Sequence, residues 1–475
     1  MVAQEESKLR VYNTLTARIE EFRPIKGRRV RMFVCGPTVY DYSHLGHART
    51  YVAFDIVARF LRKLGYSVFY LMNITDIDDK IIKKAQESGT TAQEIADKYT
   101  EAFFEDMKTL NITSVNLYAK ATDHIDEIID QVSVLIDKGY AYEANGSVYY
   151  EVRKFKDFGK LSGQSLENLI AGARVEVVEE KKNPEDFALW KAKKEGEPFW
   201  QSPWGLGRPG WHVEDTAITM TYFGAQYDIH GGARDLIFPH HEAEIAIAEA
   251  ITGVKPFVKY WMHTGFLNIE GEKMSKSLGN IIRIRDIVKK YDPMAVRFYL
   301  AYTHYRKPID FTTETMDDVV RAYNRIMGAY RLLCEQSEGN KNELAERADN
   351  VMHDFMKEMM YDFNTRNAIA SIFRLVDDVY KYGEDSTPQA KAKARRVMEE
   401  FFDIIGISPI IATHAEIFEN IMDILLSIRE EARKRRDWET ADKIRSELKK
   451  IGIIVEDTAN GPRWKIGASM RSIAN

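Results

Sequence analysis

His44 and His47 lie three positions apart around Leu45 and Gly46, just after a short apolar run that ends at Cys35. Two imidazoles at that spacing can both donate hydrogen bonds to one group, and the glycine lets backbone come close. If the pair opens a helix, the unpaired N–H groups and positive dipole end add to the attraction for an anion. The chemistry this suits is phosphate binding. A second cationic stretch, Lys273-Met274-Ser275-Lys276-Ser277, sets two lysines three apart among serines, on a loop that follows a hairpin-like Phe266–Glu272. His240 and Glu244 stand at i and i+4, so a helix there would place imidazole and carboxylate on one face, a pairing suited to zinc. His241 and Glu242 do not form a zinc-protease motif, because position 245 is Ile.

These residues need elements to hold them. Val30–Cys35 reads as a strand, and the helix after His47 carries Ala53, Val57, Phe60, Leu61 and Leu64 on one face and stops at Gly65. Ser67–Asn73 reads as the next strand. Strand, helix, strand in about forty residues is a βαβ unit of a parallel sheet, whose ligands bind beyond the carboxyl ends of the strands. Cys35 and the histidine pair fall there. Thr75 sits at the end of the second strand, as a possible pocket residue, and Asp78 and Asp79 are expected to cap the next helix. Residues from about 111 to 205 change pattern, mixing helix with short strands and Trp190, Trp200 and Trp204, and read as an insertion. The letters Gly205-Leu206-Gly207-Arg208-Pro209-Gly210 match a dinucleotide fingerprint, but no strand precedes them and a proline interrupts them. Leu236–Pro239 reads as a strand end.

From Thr313 onward the apolar period is helical over Val319–Leu333, Val351–Val379 and Ala390–Ile405, with Met356, Met359 and Met360 as core filler and Cys334 as a buried residue. A last helix pair, Ile417–Lys434 and Trp438–Lys450, precedes two strand-like runs joined by Asn460-Gly461, a hairpin signal. Arg433, Lys434, Arg435 and Arg436 form a basic patch, and Arg463 with Trp464 could stack on an unpaired base. The chain of 475 residues carries a net charge of −5, so nucleic-acid contact would depend on such local patches. Two cysteines exclude a disulfide framework and suit a reducing compartment, so a cytoplasmic location is expected. The start shows no signal or transit character, and no apolar run reaches the ~18–20 residues a membrane helix needs.

The stretches FVCGPTVYDYSHLGHAR, NITDIDDKI, NPEDFALWK, GRPGWHVE, FPHHEAEIA, KMSKS and DWETADKIRSELKKIGIIVEDT, in this order, resemble the cysteinyl-tRNA synthetases of class I, with Leu45 where the first class motif has Ile. The resemblance runs from about residue 10 to about 465. It implies an α/β fold: a Rossmann-type catalytic domain over 1–312 with its insertion, a helical bundle over 313–408, and a small α+β anticodon-binding domain over 409–475. It implies ATP-dependent activation of L-cysteine and transfer to tRNA(Cys), by a monomer, with Mg²⁺ accompanying ATP. His44 and His47 would hold the α-phosphate, Lys273 and Lys276 the leaving pyrophosphate, with Gly46 and Ser275 in the same ATP site. Cys35, Thr75, Trp211 and His240 would form the amino-acid pocket. The family binds the substrate thiol on zinc held by two cysteines, a histidine and a glutamate. Cys35, His240 and Glu244 match, but Asp215 stands where the second cysteine belongs. Asp is a permitted zinc ligand, so three outcomes are open: zinc retained on Cys35, Asp215, His240 and Glu244; zinc lost and the thiol recognised by shape; or a changed substrate or lost activity. Three other readings compete. One is a mycothiol-type ligase joining cysteine to an amino sugar. The second is a nucleotidyltransferase, against which the long helical half argues. The third is a catalytically dead tRNA-binding relative.

Overall fold

The computed structural model describes residues 8–165, 180–274, 279–409, 414–458 and 461–466. The chain divides into two compact units, 1–408 and 409–475. The first is built on a five-stranded parallel sheet: β1 (Arg29–Val34), β2 (Ser67–Ile74), β3 (Leu117–Lys120), β4 (Tyr227–Ala233) and β5 (Val258–Thr264). Its spatial order is β5-β4-β1-β2-β3, so the winding reverses between β1 and β4. A crevice opens at that reversal, and parallel sheets bind ligands there.

Alternation along the strands explains why they are buried on both faces. Val30, Met32 and Val34 of β1 and Tyr70, Met72 and Ile74 of β2 pack with the helix α1 (Leu45–Lys63), with the helices that follow β2, and with the helical bundle. Phe33 and Leu71 point the other way, into a second core beneath α3 (Trp211–Phe223) and α4 (Glu242–Thr252). This double burial is typical of parallel sheets. The helix α2 (Asp79–Ser88) follows β2, and Asp78 caps it by accepting the Lys80 N–H at 2.9 Å. Asp79, expected as a second cap, instead pairs with Lys191 and Arg208.

The five-stranded sheet reaches Lys120, past the point where the insertion was expected to begin. The inserted antiparallel sheet runs from Ala141 to Pro209. Gly205–Pro209 is itself a strand there, and Gly207 faces Trp190, which is why the dinucleotide reading of this glycine run fails. Leu236–Pro239, expected as a strand end, is wound in helical turns that lead into α4. The bundle consists of Thr313–Cys334, Glu343–Met359, Thr365–Tyr382 and Pro388–Ile405; the long period over Val351–Val379 is broken at Met360–Asn364. Met359 is buried, whereas Cys334, expected in the core, is exposed at the end of its helix. Its position follows from the helical stripe of Tyr323, Ile326, Tyr330 and Leu333, which faces the core and leaves Cys334 to one side.

The second unit pairs His414–Lys434 with Trp438–Lys450 and adds a two-stranded hairpin, Ile453–Thr458 with Gly461–Ile466. Its core joins Met422, Leu426, Leu448, Ile453 and Val455. Among the described residues, no helix is long and apolar enough to cross a membrane.

Candidate active site and metal centre

His44 is the N-cap of α1 and His47 its third residue, and the two satisfy each other's backbone. The His47 N–H donates to His44 Nδ1 at 3.3 Å, and the His44 N–H donates to His47 Nδ1 at 3.4 Å. This is a capping box made by imidazoles. It fixes the tautomer of both rings, because a nitrogen that accepts cannot carry the proton, so each ring presents Nε2–H as its donor. The rings stack at 3.8 Å with an 11° tilt. Gly46 between them leaves little room for a side chain: a Cβ would lie 3.0 Å from His44 and from Met274 Cε, so a neighbour would have to shift.

The same region receives the second cationic motif. Residues 267–273 form a hairpin, with Asn268 paired to Lys273, which delivers Met274 over Gly46. Beyond the loop the chain returns to the histidine motif, where the Leu45 N–H donates to Ile282 O and the Ile284 N–H to Ser43 O, both at 3.0 Å. The Lys273 side chain, Ser275 and Lys276 lie outside the described residues. A cavity of about 350 Å³ opens here, and Cys35, His44, Gly46, His47, Lys80 and Trp211 are among the residues that line it.

Cys35 follows β1 at the reversal, where its N–H donates to Gly231 O of β4 at 3.1 Å. Around its sulfur lie Asp215 Oδ2 at 3.3 Å, His241 Nε2 at 3.0 Å and His230 Nε2 at 3.4 Å. His240 Nε2 is 3.1 Å from both Asp215 Oδ2 and Glu244 Oε1. All of these residues are buried. Their donor atoms form two overlapping groups, Cys35/Asp215/His240/Glu244 and Cys35/His230/His241/Glu244, each with all atoms within 4.8 Å of one another. Every imidazole is braced at its other nitrogen: His240 by His212 at 2.9 Å, His230 by the Tyr227 hydroxyl at 2.7 Å, and His241 by His263 at 2.8 Å. Such bracing orients metal-ligating histidines.

The electrostatics fit a cation. Burial, and then the Asp215 and Glu244 carboxylates, push the Cys35 thiol up. Burial and Asp215 do the same to the Glu244 carboxyl. Burial drives His212, His230 and His241 well below the usual histidine range, and His263 down to about 3. Asp215 Oδ1 and both Glu244 oxygens are buried without a hydrogen bond. Buried polar atoms are rarely left so, and a divalent ion held by the cluster would offer these carboxylates a partner.

Of the expected pocket residues, Cys35 and Trp211 line the cavity. His240 is stacked against Trp211, with ring centroids 4.1 Å apart and a 10° tilt. Thr75 is buried and donates to Glu214 Oε2 at 3.1 Å. Sequence reasoning missed His230, His241 and Glu214. His241 adjoins His240 on the helix, where neighbouring residues diverge by about 100°, and only the turn at Ile237–His241 lets both rings reach the cluster. The strand-end position of His230 was its only local signal.

Residues 21–321 match the family model described as the tRNA synthetases class I (C) catalytic domain. The chain is also 48% identical to a cysteine–tRNA ligase of Thermococcus onnurineus, over 96% of this chain and 99% of that protein. The chain belongs to the class I cysteinyl-tRNA synthetase family. Two more models match this synthetase: a DALR domain at 354–408 and a cysteinyl-tRNA ligase anticodon binding domain at 420–464. A cysteine–tRNA ligase of Geobacillus thermodenitrificans is 46% identical over 97% of this chain and 100% of its own. In fold, the synthetase is similar to the Mycobacterium tuberculosis methionyl-tRNA synthetase in complex with methionyl-adenylate, with a TM-score of 0.61 at 16% identity, covering 84% of this chain and 94% of that one.

In the second unit, Lys434, Arg435 and Arg436 are exposed, whereas Arg433 is paired with Asp457 at 2.8 Å. Trp464 is half-buried and packs edge-on against Phe418 at 5.2 Å. Trp438, beside the basic run, is 57% exposed. Arg463 is exposed.

Proposed function

We propose that the chain activates L-cysteine with ATP and transfers the cysteinyl group to the 3′-terminal ribose of tRNA(Cys). The observation that carries this reading is the imidazole capping box, two fixed Nε2–H donors at a helix N-terminus, opening on a cavity that Cys35 also lines. The cysteine carboxylate attacks the α-phosphorus, the bond to the bridging oxygen breaks, and pyrophosphate leaves. His44 and His47 stabilise charge on the α-phosphate oxygens. Lys273 and Lys276 stabilise the pyrophosphate, and Mg²⁺ accompanies it. No protein nucleophile is needed, and catalysis is placement of positive charge where negative charge develops. The ribose hydroxyl then attacks the adenylate carbonyl and AMP departs.

Cys35, Asp215, His240 and Glu244 would hold zinc, which supplies a soft cation for the substrate thiolate and so sets cysteine apart from serine. Trp211 covers His240 and closes that side of the pocket. Trp438 and the cations at Lys434, Arg435 and Arg436 suit an unpaired RNA base and its phosphates. The anticodon-domain match favours this reading over amino-sugar ligation, which has no use for such a module.

The test is metal content of the purified protein together with ATP–pyrophosphate exchange. One zinc per chain and exchange with cysteine but not serine is expected. Absence of cysteine-dependent exchange would overturn the function. Exchange without stoichiometric metal would overturn only the zinc assignment.

A further inference from the structure

Lys80 is an exposed cation on the cavity that the histidine pair lines. It sits in the first turn of α2, where an ammonium opposes the helix dipole. Three aspartates surround it in sequence, and the fold commits each of them elsewhere. Asp76 accepts from the Thr122 N–H at 3.0 Å and from its hydroxyl at 2.5 Å. The Asp78 carboxylate caps the helix through the Lys80 backbone N–H. Asp79 holds Lys191 at 2.5 Å and also Arg208. Among the described residues no carboxylate pairs with the Lys80 ammonium, which lies 5.5 Å from the Tyr40 ring centre. Tyr40 and Lys80 both line the cavity that His44, Gly46 and His47 line.

We propose that Lys80 is a phosphate-binding residue of the reaction, contributed from outside the histidine and lysine motifs. This rests on the functional reading above. An ammonium without a carboxylate partner, on the same cavity as two imidazole donors, suits an oxyanion bound in that cavity. Two phosphates of the reaction offer that chemistry: the polyphosphate of ATP, and the terminal phosphodiester of the tRNA acceptor end.

The test is Lys80→Met, which removes the charge and keeps the length of the stem. It is measured beside Lys80→Arg and beside Lys83→Ala, an exposed lysine one turn on that faces Glu87. One arm is ATP–pyrophosphate exchange with cysteine; the other is single-turnover transfer from preformed cysteinyl-adenylate to tRNA. A loss of tenfold or more in at least one arm, recovered by Lys80→Arg and absent in Lys83→Ala, is expected. Loss in exchange assigns Lys80 to ATP, and loss in transfer alone assigns it to the acceptor end. A loss below tenfold in both arms, or an equal loss in Lys83→Ala, overturns the proposal. Wild-type turnover in the first arm tests the functional reading separately, since the Lys80 result is a ratio of variant to wild type.

Discussion

Replacing His47 separates two jobs that its ring performs at once. Its Nδ1 accepts the His44 N–H at 3.4 Å and helps cap α1, while on the proposed reading its Nε2–H donates to phosphate. His47→Ala loses both. The cap contributes about 1 kcal/mol to stability, and one pre-aligned donor to a developing oxyanion contributes about 10²–10³ in kcat, or about 2.7–4 kcal/mol. His47→Asn keeps an oxygen acceptor at the position of Nδ1 but has nothing at the position of Nε2. The expected pattern is therefore asymmetric. In ATP–pyrophosphate exchange both variants fall by about 10²–10³. In urea unfolding, Ala loses about 1 kcal/mol and Asn stays near wild type. The His44 ring also loses its stacking partner in both variants, so the difference between them isolates the cap. Exchange within about threefold of wild type for His47→Asn would refute the tautomer argument, since a donor at Nε2 would then be dispensable.

Other outcomes follow from residues away from the phosphate site. Arg297, fully buried, pairs with buried Asp55 and donates to the carbonyls of Ile405 and Leu110 at 2.6 and 2.8 Å. Arg297→Met should destabilise by about 1–3 kcal/mol in urea titration, because it removes the donor to two buried carbonyls, while Asp55 keeps Arg59 at 2.7 Å; unchanged stability would contradict this. Burial raises the Asp106 carboxyl to about 6 despite Arg285 nearby. Since the unfolded carboxyl titrates near about 4, folding takes up a proton between about 4 and 6, and stability falls as pH rises through that window. Asp106→Asn should therefore gain about 1–2 kcal/mol at pH 8 and nothing near pH 4; an equal gain at both would point to packing instead of charge. Trp438→Ala should weaken tRNA binding by about 1–3 kcal/mol and leave ATP–pyrophosphate exchange unchanged. Unchanged tRNA affinity would remove Trp438 from the interface.

The sequence by itself determined the local elements and the local chemistry. Strand β1, helix α1 and strand β2 follow from apolar period and from the stop at Gly65, and the paired histidines mark the helix start, because period and capping are short-range. The i, i+4 spacing also foretold the 3.1 Å approach of His240 and Glu244. Cys334 was misplaced because a helical stripe leaves one flank ambiguous until its neighbours are known. Only the tertiary structure decided which distant residues meet. The reversal of strand order between β1 and β4 brings Cys35 beside Asp215, His230 and His241, some 180 to 206 positions away, and no local pattern encodes that meeting. It also decided what each aspartate around Lys80 does, and so left that ammonium on the cavity without a carboxylate partner among the described residues. Contacts of this kind depend on which strands become neighbours, and the sequence reveals them only once the whole sheet has closed.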